Sequence, residues 1–230
     1  YFDDVMKTPV HIGIGGEAIP IGVCHAMPAA TATFATYRNH TLYLVKTDDP
    51  DGFFAELYGK MTGRCKGKAG SMHICDPAKG LVATSAVVGT TIPVAVGAAL
   101  ANRYRGSNDP VAVFFGDGAV EEGVFMESVN FAALRKLPVL FVCEDNDLAI
   151  HTFRRDRQGF DKITDIVKGY RVHVDEGNGT DLAEVVDRTS ALYEKMRKDH
   201  CPGFLHLHYY RNKEHVGPLE DYKFKYRNKP

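Results

Sequence analysis

Two oxygen-bearing side chains with the chemistry of metal ligands follow two short apolar runs in the middle of the chain. Asp117 comes soon after the run 111–115, and Asn146 comes soon after the run 139–143. A carboxylate oxygen and an amide carbonyl oxygen both suit Mg²⁺. If the two runs end at the same place in the fold, Asp117 and Asn146 can share one magnesium ion.

The glycines on either side of Asp117 suggest what the metal would accompany. Gly116 and Gly118 carry no side chain, so backbone N–H groups can approach a phosphate at the start of the next helix. A diphosphate bound with magnesium fits this combination. The Gly-Asp-Gly sequence by itself also suits an ordinary tight turn, but Asn146 after the very next apolar run favours the binding site.

The elements around these residues predict a sheet edge that brings them together. The runs 111–115 and 139–143 have the continuous apolar character of strands buried on both faces of a parallel sheet. Residues 121–136 between them show helical spacing, an acidic start and a basic end. The result is a strand–helix–strand unit, and open sheets of this type bind ligands at the carboxyl ends of their strands.

The remaining patterns extend this unit into an α/β fold with a mostly parallel sheet. We predict one three-layer domain over residues 1–230, with helices packed on the sheet. The helix at 92–104 is apolar nearly all round, so we expect it to be buried. The other elements that we predict are strands at 171–175 and 204–209 and helices at 17–27 and 181–198.

Composition excludes several classes of function. The 230 residues are 44% hydrophobic and 25% charged, with a formal net charge of −1, so neither nucleic acid nor an anionic membrane is expected as a partner. The five cysteines are widely spaced without a C-x-x-C pair, which suits a reducing cytoplasm. No apolar run reaches the roughly 18 residues of a membrane span, and we expect no signal peptide.

The stretch from GDG to the final Asn of EDN resembles the thiamine-diphosphate motif. Its surroundings are similar to the alpha subunit of 2-oxo-acid dehydrogenase first components, a family that includes pyruvate, branched-chain and acetoin dehydrogenases. The likeness extends from about residue 16 to residue 215. The matching stretches are GEA at 16–18, TYRNH at 36–40, GSMH at 70–73, VVG at 87–89, FFGDGA at 114–119 and the segment 130–144.

This resemblance implies a thiamine-diphosphate-binding fold and a role for each matching site residue. Asp117, Asn146 and the Leu148 carbonyl would bind the metal, and His215 would be a catalytic loop histidine. Val88 would contact the aminopyrimidine ring through its backbone. The residues implied for the diphosphate are Tyr37, Arg38, Gly116, Gly118, Ala119 and Arg211.

The resemblance also implies partners and a reaction. Thiamine diphosphate would attack a small 2-oxo acid, carbon dioxide would leave, and the acyl unit would pass to an acceptor. The carboxylate that activates the cofactor comes, in this family, from a separate beta subunit, so an α2β2 heterotetramer is expected. A lipoyl acyltransferase is a further candidate partner.

Three departures from the family pattern leave the acceptor open. Asp145 stands where the family has Asn, the loop before His215 lacks the first His of HGHS, and ATSAVVG at 83–89 replaces GHG-IVG or GNG-IVG. A split transketolase-like carboligase without a lipoyl carrier is therefore an alternative. A non-catalytic paralogue is disfavoured by the intact site residues, and a dinucleotide oxidoreductase by the lack of G-x-G-x-x-G after the run 111–115.

Two further histidines alternate along the last predicted strand. His206 and His208 would point to the same side of that strand. Nothing in the sequence pairs them with a third ligand, which disfavours a metal site there. Asp145 is expected either behind the metal ligands or facing away from them.

Overall fold

The computed structural model describes residues 5–6 and 8–229 and shows a parallel sheet between two layers of helices. The strands are β1 (Ala32–Thr36), β2 (Leu81–Ser85), β3 (Val111–Gly116), β4 (Val139–Asp145), β5 (Leu148–Ala149), β6 (Thr152–Phe153), β7 (His173–Asn178) and β8 (Gly203–His208). The α-helices are α1 (Ala18–Ala26), α2 (His40–Thr47), α3 (Pro50–Leu57), α4 (Thr91–Tyr104), α5 (Gly123–Arg135), α6 (Ile163–Val167) and α7 (Leu182–Asp199).

Six strands form the main sheet in the order β2-β1-β3-β4-β8-β7, and every neighbouring pair is parallel. In the centre, Val111 pairs with Val139 and Gly116 with Glu144, so β3 and β4 end side by side. The short strands β5 and β6 form a separate antiparallel hairpin directly after β4.

The core lies on both faces of this sheet because side chains alternate along each strand. On β3, Ala112 and Phe114 pack with residues of α1, α2, α3 and α7. Val113 and Phe115 point the other way, into the cluster formed with α4, α5 and α6. All of these β3 side chains are buried, which explains why the strand is apolar without alternation.

The predicted fold class is confirmed, and most predicted elements are present with small shifts at their ends. The strand predicted at 171–175 begins two residues later, at His173. The expectation for α4 was wrong in one respect: only one of its faces is buried, and Val94 and Tyr104 are 53% and 83% exposed. The elements that the sequence patterns did not predict include β1, β2, α2 and α3.

The parallel arrangement brings the carboxyl ends of β1, β3 and β4 to one edge of the sheet, where the chain leaves into the segments that build the site. After β3 it forms a 3-10 turn at Asp117–Glu121, and after β4 it forms the β5–β6 hairpin. None of the helices in the described part of the chain has the length and apolarity needed to cross a membrane.

Candidate functional site

A cavity of about 460 Å³ lies at the carboxyl ends of β1, β3 and β4. All of the site residues predicted from the sequence, except Arg211, line it. These are Tyr37, Arg38, Val88, Gly116, Asp117, Gly118, Ala119, Asn146, Leu148 and His215. The fold therefore collects residues that are more than 170 positions apart in the chain around one space.

Asp117 is the charged centre of the cavity. Its side chain is 3% exposed and forms an ion pair with Arg157, which lies in the segment after the β5–β6 hairpin. Arg157 also pairs with Glu121 at the end of the 3-10 turn. Burial, and then the nearby charge of Asp145, raise the pKa of Asp117 to about 6 despite the guanidinium. A buried carboxylate keeps its charge only where a cation or several hydrogen-bond donors compensate for the lost water.

Asn146 is held in a fixed orientation by two contacts. Its Oδ1 accepts the Leu148 N–H at 3.2 Å, and its Nδ2 donates to the Tyr209 hydroxyl at 3.0 Å. Oδ1 therefore lies at the cavity with one lone pair still available. Since β3 and β4 end side by side, Asp117 and Asn146 lie at the same edge of the sheet.

The two glycines beside Asp117 differ in what space allows. A Cβ added to Gly118 would lie 3.2 Å from the Ala149 Cβ of the hairpin, so the hairpin packs closely on this turn. A Cβ on Gly116 would meet only the Glu144 carbonyl oxygen, at 3.9 Å. A side chain at 118 would therefore have to push the hairpin back by a few tenths of an ångström, whereas position 116 has room for one.

The opposite wall is a cluster of rings around Arg38. Arg38 donates to the Ile12 carbonyl at 3.0 Å and to both Nδ1 and the carbonyl of His215 at 3.1 Å. The ring centroids of His11 and Tyr37 are 4.2 Å apart, and those of His11 and His215 are 5.0 Å apart. Burial, followed by the charge of Arg38, lowers the pKa of His215 to about 4 and that of His11 to about 3. Both histidines are therefore neutral at pH 7.

Arg211 is the exception among the predicted residues, because the structure places it away from the cavity. Its side chain is 1% exposed and donates to the carbonyls of Lys213 and Ile150 and to the Tyr226 hydroxyl. Asp221 completes the set at 3.5 Å. These partners engage four of the five N–H groups of the guanidinium within the protein, and the contact of Arg211 with a diphosphate stays a prediction.

Several residues at the site were missed by the sequence argument. Arg157 lies in a segment that carried no motif, and only its contact with Asp117 reveals it. Glu144, two residues before Asn146, lines the cavity and accepts from the Asn39 amide at 2.7 Å; burial raises its pKa to about 7. His11 and Tyr209 lie on the wall, and neither has a local pattern that marks it.

Asp145 does not belong to the lining of this cavity. It points to the other side of β4, where its carboxylate contacts His206 at 2.8 Å and His208 at 3.3 Å. The interpretation that these histidines lack a third candidate ligand was therefore wrong. The third group comes from a neighbouring strand, which the local pattern of β8 could not show.

Comparison with known proteins places these features in a family context. The family model described as "Dehydrogenase E1 component" matches residues 6–229. The alpha subunit of acetoin:2,6-dichlorophenolindophenol oxidoreductase from Bacillus subtilis (strain 168) is 36% identical over 222 residues, which cover 96% of this chain and 67% of the relative. The alpha subunit of the pyruvate dehydrogenase E1 component from Rickettsia bellii is 33% identical over 211 residues, covering 89% and 63%.

The chain spans between about half and two thirds of the length of such relatives; for a chloroplastic pyruvate dehydrogenase E1 alpha subunit from Arabidopsis thaliana the share is 52%. Among solved structures, a candidate thiamin diphosphate-dependent enzyme from Mycobacterium smegmatis superposes with a TM-score of 0.53 at 20% identity. The match covers 86% of this chain and 33% of that one. At this identity the likeness concerns the fold.

Proposed function

The chain belongs to the family of dehydrogenase E1 components, and we propose that it acts as the alpha subunit of a thiamine-diphosphate-dependent enzyme that decarboxylates a 2-oxo acid. The observation that carries this proposal is the position of Asp117 and Asn146 at the ends of adjacent strands, inside a cavity lined by the other predicted cofactor residues. The names of the relatives, alpha subunits of an acetoin oxidoreductase and of a pyruvate dehydrogenase, support it.

The residues at the Asp117 end of the cavity fit a magnesium ion with a diphosphate. Asp117 and Asn146 supply a carboxylate and an amide oxygen, and the Leu148 carbonyl is the third proposed ligand. Asp117 already pairs with one cation, the Arg157 guanidinium, whose charge takes the role that a metal ion would have there. We propose that magnesium displaces Arg157 from Asp117.

The diphosphate would be bound by residues that line the cavity. The N–H groups at Gly118 and Ala119 begin the turn after β3, where they are free of side-chain bulk. Arg38 and Tyr37 supply a charge and a hydroxyl from the end of β1. The Val88 backbone would contact the aminopyrimidine. Bound thiamine diphosphate supplies the electron sink for the loss of carbon dioxide.

His215 is the proposed hydrogen-bond donor at the cavity wall. Its Nδ1 accepts from Arg38, so the ring proton of the neutral form is on Nε2. The lowered pKa keeps the ring neutral at pH 7, which allows Nε2–H to donate to a phosphate or to a reacting oxygen without adding charge. Arg38 thus fixes the tautomer of His215 as well as its position.

The partner that completes the site is proposed to be a beta subunit that carries the activating carboxylate, in an α2β2 heterotetramer. Val87 and Val88, at the edge of the cavity, are 61% and 39% exposed, an apolar edge that suits coverage by another chain. A lipoyl acyltransferase is the proposed acceptor, and a free aldehyde acceptor, as in a split carboligase, is the alternative. We also propose that residues 1–230 form one domain and that the enzyme is cytoplasmic. The five free cysteines support the proposed location.

The first experiment is calorimetric titration of the purified protein, together with its co-expressed beta partner, with thiamine diphosphate in the presence and absence of Mg²⁺. We expect magnesium-dependent binding that Asp117→Ala and Asn146→Ala abolish. Asp187→Ala, an exposed aspartate on α7, is the matched control and should bind normally. Loss of binding in the control only, or binding without magnesium in all variants, would contradict the proposal.

The acceptor is decided by a second assay with the same complex. Pyruvate and related 2-oxo acids are supplied with either a lipoyl domain or a free aldehyde. Reductive acylation of the lipoyl domain supports the dehydrogenase, and carboligation alone supports the split carboligase. Decarboxylation of no 2-oxo acid by a complex that binds the cofactor would exclude both.

A further inference from the structure

Four titratable side chains meet on one face of the sheet, away from the cavity. Register pairs Asp145 of β4 with His208 of β8, and His206 of β8 with Glu176 of β7. Paired residues on parallel strands point to the same face, so the three strands place all four groups together. We refer to Asp145, Glu176, His206 and His208 as the His–carboxylate cluster.

The spacing within the cluster is that of ligands around one metal ion. His206 Nε2 lies 2.8 Å and His208 Nδ1 lies 3.3 Å from Asp145 Oδ2. One ligand atom from each of these three residues falls within 4.8 Å of the others. Ligands bound tetrahedrally at about 2.0–2.1 Å are roughly 3.3–3.5 Å apart, so small shifts would suffice.

An unpartnered nitrogen is the second observation. The His206 side chain is 3% exposed, and its Nδ1 has no hydrogen-bond partner. A buried polar atom without a partner is costly, by about 1–3 kcal/mol in proteins generally. When Nε2 donates to Asp145, Nδ1 carries a lone pair without a donor and lies 3.9 Å from a carboxylate oxygen of Glu176, which repels it. This arrangement is unfavourable for the free protein.

A metal on Nε2 would resolve this conflict. The ring proton of His206 would then reside on Nδ1 and point toward Glu176, and His208 Nε2 is already 2.8 Å from the same carboxylate. Histidines that bind metals commonly donate their other N–H to a carboxylate in this way. Glu176 can serve both rings, which leaves Asp145 as the carboxylate that faces the ion.

Charge and access also favour a cation. Two carboxylates face two histidines. The cation that now pairs with Asp145 is the guanidinium of Arg154, which lies just after β6; its Nη1 is 2.5 Å from Asp145 Oδ2. The side chains of His208 and Glu176 are 41% and 39% exposed, so an ion can enter from solvent. Two imidazoles and a carboxylate are ligands typical of zinc and related transition metals rather than of magnesium.

We propose that Asp145, His206 and His208 form a second metal site, which binds a dication of the zinc type in competition with Arg154. Glu176 orients both histidines from behind. The site shares no ligand with the proposed magnesium site at Asp117 and Asn146 and differs from it in ligand chemistry, although the charge of Asp145 is near enough to raise the pKa of Asp117. The proposal does not depend on the proposed enzyme activity.

The test is zinc binding by the purified, EDTA-treated protein, followed with a competing chromophoric chelator and by elemental analysis after desalting. We expect one zinc ion per chain and a loss of at least about 100-fold in affinity in His208→Gln and His206→Gln. Glu176→Gln should weaken binding about 10–100-fold. His173→Gln, which removes a surface histidine of the same strand β7, and Asp117→Ala should bind zinc as the unaltered protein does.

Two further measurements make the result decisive if a histidine variant folds poorly. Arg154→Gln removes the competing cation and should bind zinc more tightly; weaker binding would contradict the proposed competition between Arg154 and the ion for Asp145. Co²⁺ bound to the unaltered protein should give the intense visible bands of a four- or five-coordinate site. Absence of stoichiometric zinc, zinc retained in both histidine variants, or only the weak spectrum of hydrated Co²⁺ overturns the proposal.

Discussion

Replacing Arg157 by glutamine tests whether this residue is the internal cation of a site made for a metal. The Arg157 side chain is 10% exposed and that of its partner Asp117 is 3% exposed, so the change leaves a buried carboxylate unpaired. Removing one member of a buried ion pair costs about 3–5 kcal/mol. Because the Arg157 side chain keeps some contact with solvent, and Glu121 also accepts from Gln158 at 2.8 Å, we expect a loss of about 3 kcal/mol in the free energy of unfolding.

The loss should depend on pH with a defined sign. The pKa of Asp117 is about 6 in the folded protein, above its ordinary value, because burial disfavours the charge. Removing Arg157 raises this pKa further, so the penalty grows as pH rises and the carboxylate must ionise. Urea unfolding should therefore show a larger difference between Arg157→Gln and the unaltered protein at pH 8 than at pH 5.

Magnesium should restore stability to the variant. With Arg157 gone, the metal no longer competes for Asp117, and a tenfold lower Kd would add about 1.4 kcal/mol of stabilisation at saturating magnesium. Unfolding is measured in EDTA and in excess MgCl₂, with Arg155→Gln as the control from the same loop, where the side chain is 78% exposed. Equal losses in the two variants, or no greater effect of magnesium on Arg157→Gln, would refute the reasoning.

Three other predictions concern the supports of the cavity. Glu56→Ala should lower the free energy of unfolding by about 3–4 kcal/mol in urea, since the buried carboxylate accepts three backbone N–H groups of the loop 65–69 at 2.7–2.9 Å; a loss below 1 kcal/mol would contradict this. Burial lowers the pKa of His40 to about 4. As pH falls from 6.5 through 4, the unfolded chain takes up a proton on His40 before the folded protein does, so the free energy of unfolding decreases. His40→Gln should therefore flatten the pH dependence there by up to about 1.4 kcal/mol per pH unit, and an unchanged slope would show that His40 does not titrate in this range. Tyr209→Phe, which removes the hydroxyl that holds the Asn146 amide, should weaken magnesium-dependent cofactor binding about 3–10-fold in calorimetry with unchanged circular dichroism, and unaltered binding would show that Asn146 needs no such support.

The parts of the fold that could be predicted are those whose signal is local. Strands β3 and β4 are continuous apolar runs, and α5 and α7 have helical spacing with charged ends, so each carries its own pattern. β1 and β2 read ATFAT and LVATS, small and hydroxyl-bearing residues without a long apolar run. Their structure comes from pairing with strands distant in the chain, which a local pattern does not encode.

The same distinction separates the site residues that could be predicted from those that could not. Asp117 and Asn146 follow strong strands, so their positions follow from the parallel arrangement. Arg211 matches a motif as well as they do, but its orientation is set by Asp221 and Tyr226 in the segment beyond that motif. Arg157 reaches Asp117 only because the β5–β6 hairpin folds back on the sheet edge. Side chains on irregular segments therefore need the structure to be placed.

The end of β4 shows how one strand can serve two sites. Side chains alternate along a strand, so Glu144 and Asn146 face the cavity while Asp145, between them, faces the histidines of β8. An acidic residue at 145 thus adds a negative charge beside His206 and His208 and leaves the ligands of the cavity in place. The departure from the family's ENN is for this reason better explained by the His–carboxylate cluster than by altered chemistry at Asp117 and Asn146.

Asp145→Asn should accordingly abolish zinc binding and leave magnesium-dependent cofactor binding within about threefold of the unaltered protein. Loss of both would show that the two faces of β4 do not act separately.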